Sequence, residues 1–456
     1  MAVKNLWHRT VMLVAALAVA APLCAQERTA RVSLRQPKPA ASEQLKSRPL
    51  VIRGAEPDPA DTPDSQSADS PPLTLDYLST WAAENHPLLR RDRARIESAG
   101  GSAIQAGLYP NPRFDTNNPQ VFNGKNSLFN AGVMQEFVVK GKRQLDRAAA
   151  LRAVQQSEFA LVQDRYALLT QIRSQFYTTL AAQVRVEVFT RLLKITEASL
   201  KTAQDRFFNA KIANKAEVLL LDIDYNKTLA DLENAKRILA GERSQLAAIV
   251  GMPGLIQGSL TGSLTGQTPD FDVKIMDQFV TSDHALVQIS KLEIDKNKVL
   301  LQRAEAEPYP NITLGPAYQW GLSQGNDQYW LTVTFPIPVS DRNQGNIMAA
   351  RANVRDSVES LGTVQLELLR QVADSFSKYR GAQKQAQRYK AKIIPDSIEA
   401  LRLARSGYDT GLFEFAEYLQ AQRTLMQTQK DYVDVLETVW TSAATLAGLL
   451  QMEQFP

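Results

Sequence analysis

The sequence between Gly141 and Gly241 contains neither glycine nor proline, and this stretch constrains the fold more than any other feature. Apolar residues recur there at three- and four-residue steps with polar residues between them, the pattern of helices that bury one stripe. Residues 208–214 include two asparagines and lose the periodicity, which predicts a tight turn between two helices. The first helix would have about 60 residues and a length of about 90 Å. A globular core needs no element of that length, so we predict a coiled-coil arm.

The N-terminal part of the chain has the features of an export signal followed by a linker. Lys4 and Arg9 precede an apolar run, and a possible cleavage site follows at Cys24 and Ala25. Cys24 is alternatively a lipid-attachment cysteine, although Leu23 before it is bulkier than lipoprotein signals normally tolerate. Residues 26–72 contain eight prolines and few large apolar side chains, which predicts disorder. After the signal, no run approaches the ~20 apolar residues of a membrane-spanning helix, so a membrane crossing would use strands.

Composition and motifs argue against several functions. The net charge is +4 with acids and bases nearly balanced, so nothing indicates a nucleic-acid partner. The single cysteine and the scattered histidines His8, His86 and His284 form no metal-binding pattern. His86 and His284 precede corresponding helices, which gives them a structural explanation. Phosphate-binding glycine loops, nucleophile elbows and zinc-protease motifs are all missing from the sequence. We therefore predict no catalytic residues, no resident metal and no cofactor.

The sequence also repeats itself. Tyr109-Pro110-Asn111 recurs as Tyr309-Pro310-Asn311, and further identities follow at the same offset of 200 residues. Such self-similarity indicates a tandem repeat of one structural unit. We predict a signal peptide, a linker, a first repeat, a connector and a second repeat at residues 1–25, 26–72, 73–254, 255–272 and 273–456.

Each repeat has two strand-like runs after its Tyr-Pro-Asn motif. The first pair covers residues 113–122 and 128–139 and the second flanks a turn at residues 321–327. The second pair alternates apolar with small or polar residues and has Tyr and Trp near the strand ends, which is typical of tilted membrane strands. Alternation alone also fits a half-buried hairpin of a soluble sheet. Four strands cannot close a membrane barrel, and lipid does not tolerate open sheet edges, so protomers would have to pool their strands.

The duplicated plan with Tyr-Pro-Asn at the helix-to-strand junction resembles the TolC family of outer-membrane efflux ducts. The motifs at residues 140–143 (Lys-Gly-Lys-Arg) and 336–346 are similar to the CzcC-like, heavy-metal-efflux branch. The resemblance covers about residues 73–452. It implies a mainly α fold with β, in which long helical hairpins form an α-barrel. Two β-hairpins would contribute four strands per chain to a trimeric twelve-strand β-barrel.

The resemblance also implies a location and partners. The protein would be a homotrimer in the lipid of the outer membrane, with a helical extension in the periplasm. A periplasmic adaptor would connect it to an inner-membrane pump of the RND type, which supplies the energy. The expected function is a passive duct of a tripartite system that carries heavy-metal cations outward. The alternatives are a duct for organic compounds or secreted polypeptide, and a secreted coiled-coil scaffold without a pore.

In this family the periplasmic turns bind the adaptor, and the matching positions here lie at residues 206–212 and 406–412. The second turn follows the family's aromatic-x-x-Gly-Leu pattern, whereas the first has Lys211 where glycine is usual. The aromatic residues of these turns could instead simply pack within the hairpins. The resemblance implies that the adaptor-docking residues are Arg206, Phe207, Phe208, Lys211, Ile212, Tyr408, Gly411 and Leu412.

Acidic residues beyond the two turns match the family's positions near the periplasmic aperture. Three copies of Glu217 and of Glu417 would form rings of negative charge that favour cations. Asp224 is two helical turns from Glu217 on a similar face and would add to the ring. Acids on a long helix are more commonly solvated surface residues, so this role stays a hypothesis.

Overall fold

The structure is a computed structural model that describes residues 73–116, 124, 127–209, 214–253, 260–321 and 327–455. The predicted signal peptide with Cys24 and the whole predicted linker, residues 26–72, lie outside the described residues. Lys211, Ile212 and most of the two predicted hairpin turns lie outside them as well.

Nine α-helices occur in the described part of the chain, four in the first half and five in the second. Their bounds are α1 Leu75–Asn85, α2 Pro87–Gly107, α3 Lys142–Phe208, α4 Lys215–Val250, α5 Val273–Ser282, α6 Ala285–Ala306, α7 Gln344–Arg388, α8 Ile394–Asp409 and α9 Phe415–Leu449. None of these helices has an apolar stretch long enough to cross a membrane.

Four strands form one antiparallel sheet in the order β1-β2-β3-β4. Their bounds are β1 Arg113–Thr116, β2 Leu128–Phe137, β3 Ile312–Gly321 and β4 Gln328–Thr334. The central pair joins the two halves of the chain, since β2 pairs with β3 from Leu128 opposite Gly321 to Phe137 opposite Ile312. Strand β2 ends two residues earlier than predicted because the chain turns at Lys140 and Gly141, whose φ angles are +57° and +67°.

The long helix predicted from the glycine- and proline-free stretch is present. Helix α3 has 67 residues, which corresponds to a length of about 100 Å. It ends at Phe208, and α4 begins at Lys215 with Asn214 as its N-cap, so the predicted break at residues 208–214 is confirmed. The Asn214 side chain accepts a hydrogen bond from the Ala216 amide at 3.2 Å, which satisfies one of the free amides at the helix start.

The helix of the second half that corresponds to α3 is interrupted. A five-residue π turn, Tyr389–Ile393, separates α7 from α8. Pro395 lies in the first turn of α8, and it has no amide hydrogen to continue the α-helical pattern. The Ile394 amide donates to the Tyr389 carbonyl, a five-residue step that accommodates the proline.

Side chains cap the starts of three helices. Thr74 accepts a hydrogen bond from the Tyr77 amide at 3.3 Å and begins α1. His86 and His284 each accept a hydrogen bond at Nδ1, from the Leu88 and Leu286 amides, both at 3.2 Å. The two histidines are therefore N-caps of α2 and α6, and their structural explanation is confirmed.

Helix α9 carries two apolar cores on its two sides. Trp440 packs with residues of α1, α3 and α4, while Val439 packs with residues of α5, α6 and α7. The Trp440 ring stacks on Tyr177 at 4.5 Å between centroids, and its indole nitrogen donates to the Leu264 carbonyl at 2.8 Å. A third, smaller cluster of apolar residues joins α3, α4 and α9 near the turns.

The predicted connector has a more definite structure than its composition suggested. Leu264 and Phe271 are buried, and Leu260 forms an isolated bridge with Leu73. Gly262 lies against Phe176 and Leu180 of α3. The described part of this segment is therefore packed onto both apolar cores.

Candidate functional site

The sheet has one apolar and one polar face, which the strand register defines. Tyr318 lies opposite Tyr329 and Ala131, and Leu314 lies opposite Val333, so the alternate residues of all four strands share a face. Many side chains of this apolar face are exposed, such as Tyr329 at 80% and Leu331 at 70%. The apolar face consists of Phe114, Phe129, Ala131, Val133, Phe137, Ile312, Leu314, Pro316, Tyr318, Trp320, Tyr329, Leu331 and Val333, together with Gln135 and Thr116.

The other face carries mainly small and polar residues. Gly132 lies opposite Ala317, and a Cβ added at Gly132 would be 2.7 Å from the Ala317 Cβ, so the two strands need the glycine there. A water-filled passage requires polar groups of this kind on its wall. The polar face consists of Arg113, Asp115, Asn130, Gly132, Glu136, Thr313, Gly315, Ala317, Gln319, Gln328, Thr332 and Thr334, together with Leu128, Met134 and Trp330.

The foot of the sheet, where the strands meet the helices, is fixed by both Tyr-Pro-Asn motifs. The Lys140 ammonium lies 4.2 Å from the Tyr309 ring centroid, and the Arg143 guanidinium lies 3.5 Å from that of Tyr109. Asn311 donates to Glu136 Oε1 at 2.7 Å and accepts from the Val139 amide at 3.4 Å. The basic motif of the first half thus binds the aromatic residues of both halves through cation–π contacts.

The helical turns hold some of the predicted docking residues in internal contacts. The Arg206 guanidinium lies 4.3 Å from the Tyr408 ring centroid and 3.6 Å from Asp409 Oδ1. Phe207 and Phe208 meet edge to face at 5.0 Å. Phe208 remains 68% exposed, as does Leu412 at 78%. The exposed pair offers apolar surface, while Arg206 and Tyr408 also support the turns.

The second turn has a defined hydrogen-bonded geometry. Gly411 has a φ of +73°, a conformation that glycine adopts without strain. The amides of Leu412 and Phe413 both donate to the Gly407 carbonyl, at 2.8 and 3.1 Å. A Cβ at Gly407 would lie 2.3 Å from the Phe413 ring, so the ring closes over the helix end. The aromatic-x-x-Gly-Leu pattern therefore forms a compact helix C-cap.

Tyr408 links the second turn to the start of α4. Its hydroxyl donates to Glu217 Oε2 at 2.7 Å, and its ring stacks on Tyr418 at 5.5 Å. Burial and the hydrogen bond to Glu217 raise the pKa of Tyr408 to about 12, so the phenol stays protonated at neutral pH. Tyr418 in turn shares a 2.6 Å hydrogen bond with Ser199. This chain of contacts connects α3, α4, α8 and α9.

Asp224 is already paired within one chain. Its carboxylate accepts two hydrogen bonds from Arg423, from Nε at 3.1 Å and from Nη2 at 2.9 Å. The Asp224 side chain is 8% exposed and that of Arg423 is 48% exposed. Such a bidentate pair has no net charge, so Asp224 differs from the exposed acid that a charge ring needs. Glu417, in contrast, is exposed in the first turn of α9.

Three residues that hold the site in place were not identified from the sequence. Arg423 binds Asp224, Tyr418 stacks on Tyr408, and Phe413 packs on the second turn. The contact of Arg423 could have been predicted from the repeat. Helices α4 and α9 begin at Lys215 and Phe415, so residues at equal depth along the two helices can meet. No group of three or more His, Cys, Asp or Glu residues that could hold a metal occurs in the described part of the chain.

Comparison with known proteins shows which proteins this chain resembles. Residues 283–450 match the family of outer membrane efflux proteins. The chain is 25% identical to the cobalt-zinc-cadmium resistance protein CzcC of Cupriavidus metallidurans, over 83% of this chain and 90% of CzcC. It is 24% identical to the nickel-cobalt-cadmium resistance protein NccC of Alcaligenes xylosoxydans xylosoxydans, over 66% of this chain and 69% of NccC.

Solved structures extend the likeness to both halves. The outer membrane protein VceC of Vibrio cholerae superposes with a TM-score of 0.71 at 19% identity, over 83% of this chain and 96% of VceC. CusC superposes with a TM-score of 0.72 at 16% identity, over 82% of this chain and 91% of CusC. The predicted resemblance to TolC-like outer membrane efflux proteins and the predicted fold class are confirmed.

Proposed function

We propose that this protein is the outer-membrane duct of a tripartite efflux system. The observation that carries the proposal is the two-faced sheet, because its apolar face is exposed while the opposite face is small and polar. A lipid-exposed outer surface and a polar passage require this arrangement. The fold shared with VceC and CusC supports it. An elongated scaffold without a pore would leave the exposed apolar face unexplained.

The duct is a homotrimer in this proposal. Strands β1 and β4 are the two edges of the four-stranded sheet. Unpaired edges are not tolerated in lipid, so each edge pairs with a strand of a neighbouring protomer. Three chains then give a closed barrel of twelve strands, with the long helical hairpins extending into the periplasm. In the same proposal the repeats are residues 73–254 and 273–456, joined by the connector.

The cargo we propose is a divalent heavy-metal cation. The support is the similarity to CzcC and NccC, whose names state resistance to cobalt, zinc, cadmium and nickel. The chain is also 24% identical to the outer membrane protein OprJ of Pseudomonas aeruginosa, over 63% of this chain and 61% of OprJ. That match covers less of the chain than the match to CzcC. The metal passes through as substrate, and its transport draws energy from a partner.

The partners in this proposal are a periplasmic adaptor and an inner-membrane pump, which we propose is of the RND type. The exposed apolar side chains Phe208 and Leu412 supply docking contacts, and Gly411 shapes the second turn. Arg206, Phe207 and Tyr408 support them from within. Lys211 and Ile212 belong to the same surface in the proposal. Leu412→Asp, which places a charge on this apolar surface, should abolish adaptor binding. Leu412→Met keeps an apolar side chain and should retain it.

At the aperture, we propose that Glu417 supplies the exposed negative charge. Glu217 contributes a carboxylate that accepts the Tyr408 hydroxyl, and Asp224 is neutralised by Arg423. The ring therefore depends on Glu417 more than on Asp224.

The experiment that tests the duct is extraction of outer membranes with detergent, followed by mass determination and electron microscopy of the purified particle. A trimeric particle with a barrel at one end is expected. A protein released without detergent as a monomer or dimer would refute the proposal.

Cargo is tested separately in a host that lacks its own metal-efflux duct but has the cognate adaptor and pump. Expression should restore growth on zinc, cobalt or cadmium salts. Restored tolerance of organic compounds alone would support the alternative cargo.

A further inference from the structure

A groove lies at the foot of the sheet, on its apolar face. Its volume is about 400 Å³, and its lining is apolar except for one amine. Ile312, the first residue of β3, lines it together with residues that follow β2, precede β3 or follow β4: Val139, Lys140, Tyr309, Pro310 and Phe335. Three segments next to the strand ends thus form one recess.

The groove continues the apolar face of the sheet. Ile312 is the first residue of that face on β3, and Phe335 lies directly after the last residue of β4, two positions beyond Val333 of the same face. Phe335 is 52% exposed and Tyr309 is 50% exposed. In the proposed duct, on which this inference rests, the apolar face contacts acyl chains. The foot of the strands then lies at the periplasmic leaflet, because the helices extend from that end.

Lys140 gives the groove a positive charge at its helical end. Its ammonium lies over the Tyr309 ring, and none of the carboxylates in the described residues forms an ion pair with it. A cation–π contact leaves an exposed ammonium free to bind an anion on its open side. The backbone of Lys140 is in the left-handed conformation at φ +57°, which fixes the direction in which this side chain leaves the turn.

We propose that this groove binds an anionic phospholipid of the periplasmic leaflet. One acyl chain lies against Ile312, Phe335 and Val139, and the headgroup phosphate contacts the Lys140 ammonium. The combination of an apolar recess with one cation at its polar end fits a lipid better than a soluble anion, since an anion would leave the recess empty. Aromatic and basic side chains commonly lie at this depth of a membrane. The bound lipid fixes the depth at which the sheet leaves the membrane.

The test is native mass spectrometry of the detergent-purified oligomer, titrated separately with phosphatidylglycerol and phosphatidylethanolamine. Lys140→Asn removes the charge, and asparagine tolerates a positive φ angle. We expect about fivefold weaker binding of phosphatidylglycerol, the contribution of one lysine near an anionic surface. Lys236→Asn, at an exposed lysine on α4 remote from the sheet, should bind like the wild type. Lys140→Gly, which suits the turn even better, is a second variant should the first not assemble.

A second pair of measurements identifies the recess itself. Ile312→Ser should weaken the binding of both lipids, and soluble glycerol phosphate should not compete with phosphatidylglycerol. Equal binding of phosphatidylglycerol by Lys140→Asn and the wild type would overturn the lipid site while the trimeric duct stands. Efficient competition by glycerol phosphate would also overturn it. A particle that never enters a membrane would overturn the duct, and the lipid site with it.

Discussion

The pair of Asp224 and Arg423 permits a quantitative test of how the helical hairpins are held together. Removing Arg423 leaves a nearly buried carboxylate without its two donors. Breaking a fully buried ion pair costs about 3–5 kcal/mol. Arg423 is half exposed, and water screens such a group, so the estimate falls to about 2 kcal/mol. Losing the pair lowers the free energy of local unfolding of α4 and α9, the two helices that it joins.

The perturbation is Arg423→Met, and the assay is amide hydrogen exchange of the detergent-solubilised protein. An increase of about 2 kcal/mol in the free energy of the closed state corresponds to about 30-fold faster exchange when local opening controls the rate. The effect should be largest in the peptide that contains Leu221 and Thr228, which flank the carboxylate on α4. Amides near Trp440, in the main core, should not change.

A double-mutant cycle separates the pair from general effects of substitution. Asp224→Asn alone should cost about 1 kcal/mol, because Arg423 can then be solvated. The double variant should cost about 1 kcal/mol as well, since it leaves no buried charge. If the double variant loses the sum of the two single effects, or if Arg423→Met exchanges at the wild-type rate, the argument from the buried carboxylate is wrong.

Three further predictions concern the turns, one cap and the aperture. Gly407→Ala should destabilise the second turn by about 1–3 kcal/mol, because its Cβ would overlap the Phe413 ring, and limited proteolysis should cleave that turn faster; Gly381→Ala, where no atom lies within 4 Å of the added Cβ, is the control and should be neutral or stabilising. Burial lowers the pKa of His284 to about 4, so between about pH 4 and 6.5 the unfolded chain binds a proton that the folded chain does not. The stability present above pH 6.5 is therefore lost as the pH falls, by up to about 3 kcal/mol. His284→Asn, a neutral N-cap, should make thermal stability less dependent on pH over that range, and an unchanged pH dependence would show that His284 is not its source. Glu417→Gln should raise single-channel conductance or reduce cation selectivity in planar bilayers, and unchanged values would remove Glu417 from the aperture.

The sequence predicted the features that depend on one segment at a time. The glycine- and proline-free stretch predicted α3 and its end at Phe208, because helix length and helix breaks are local properties. His86 and His284 have the structural roles that their positions before helices suggested. The π turn before Pro395 escaped the prediction, although the proline itself was visible. A helix can absorb a proline in several ways, and tertiary packing selects among them.

The contacts of Arg423 and Tyr418 escaped prediction because they join segments that are distant in the chain, and the contact of Arg423 follows from the arrangement of two helices. Helices α4 and α9 start 200 residues apart, at Lys215 and Phe415. Asp224 lies nine residues into the first, and Arg423 lies eight residues into the second, so the pair meets because the two helices run side by side at equal depth. The 200-residue offset of the repeat predicts that the two residues lie at nearly the same distance from the starts of their helices. It does not show which helices are neighbours. Asp224 is paired with Arg423 inside the chain, whereas Glu417 is exposed. In the trimer that we propose, the field of a cation filter would therefore lie at the first turn of α9, close to the end of the duct, rather than at the depth of Asp224.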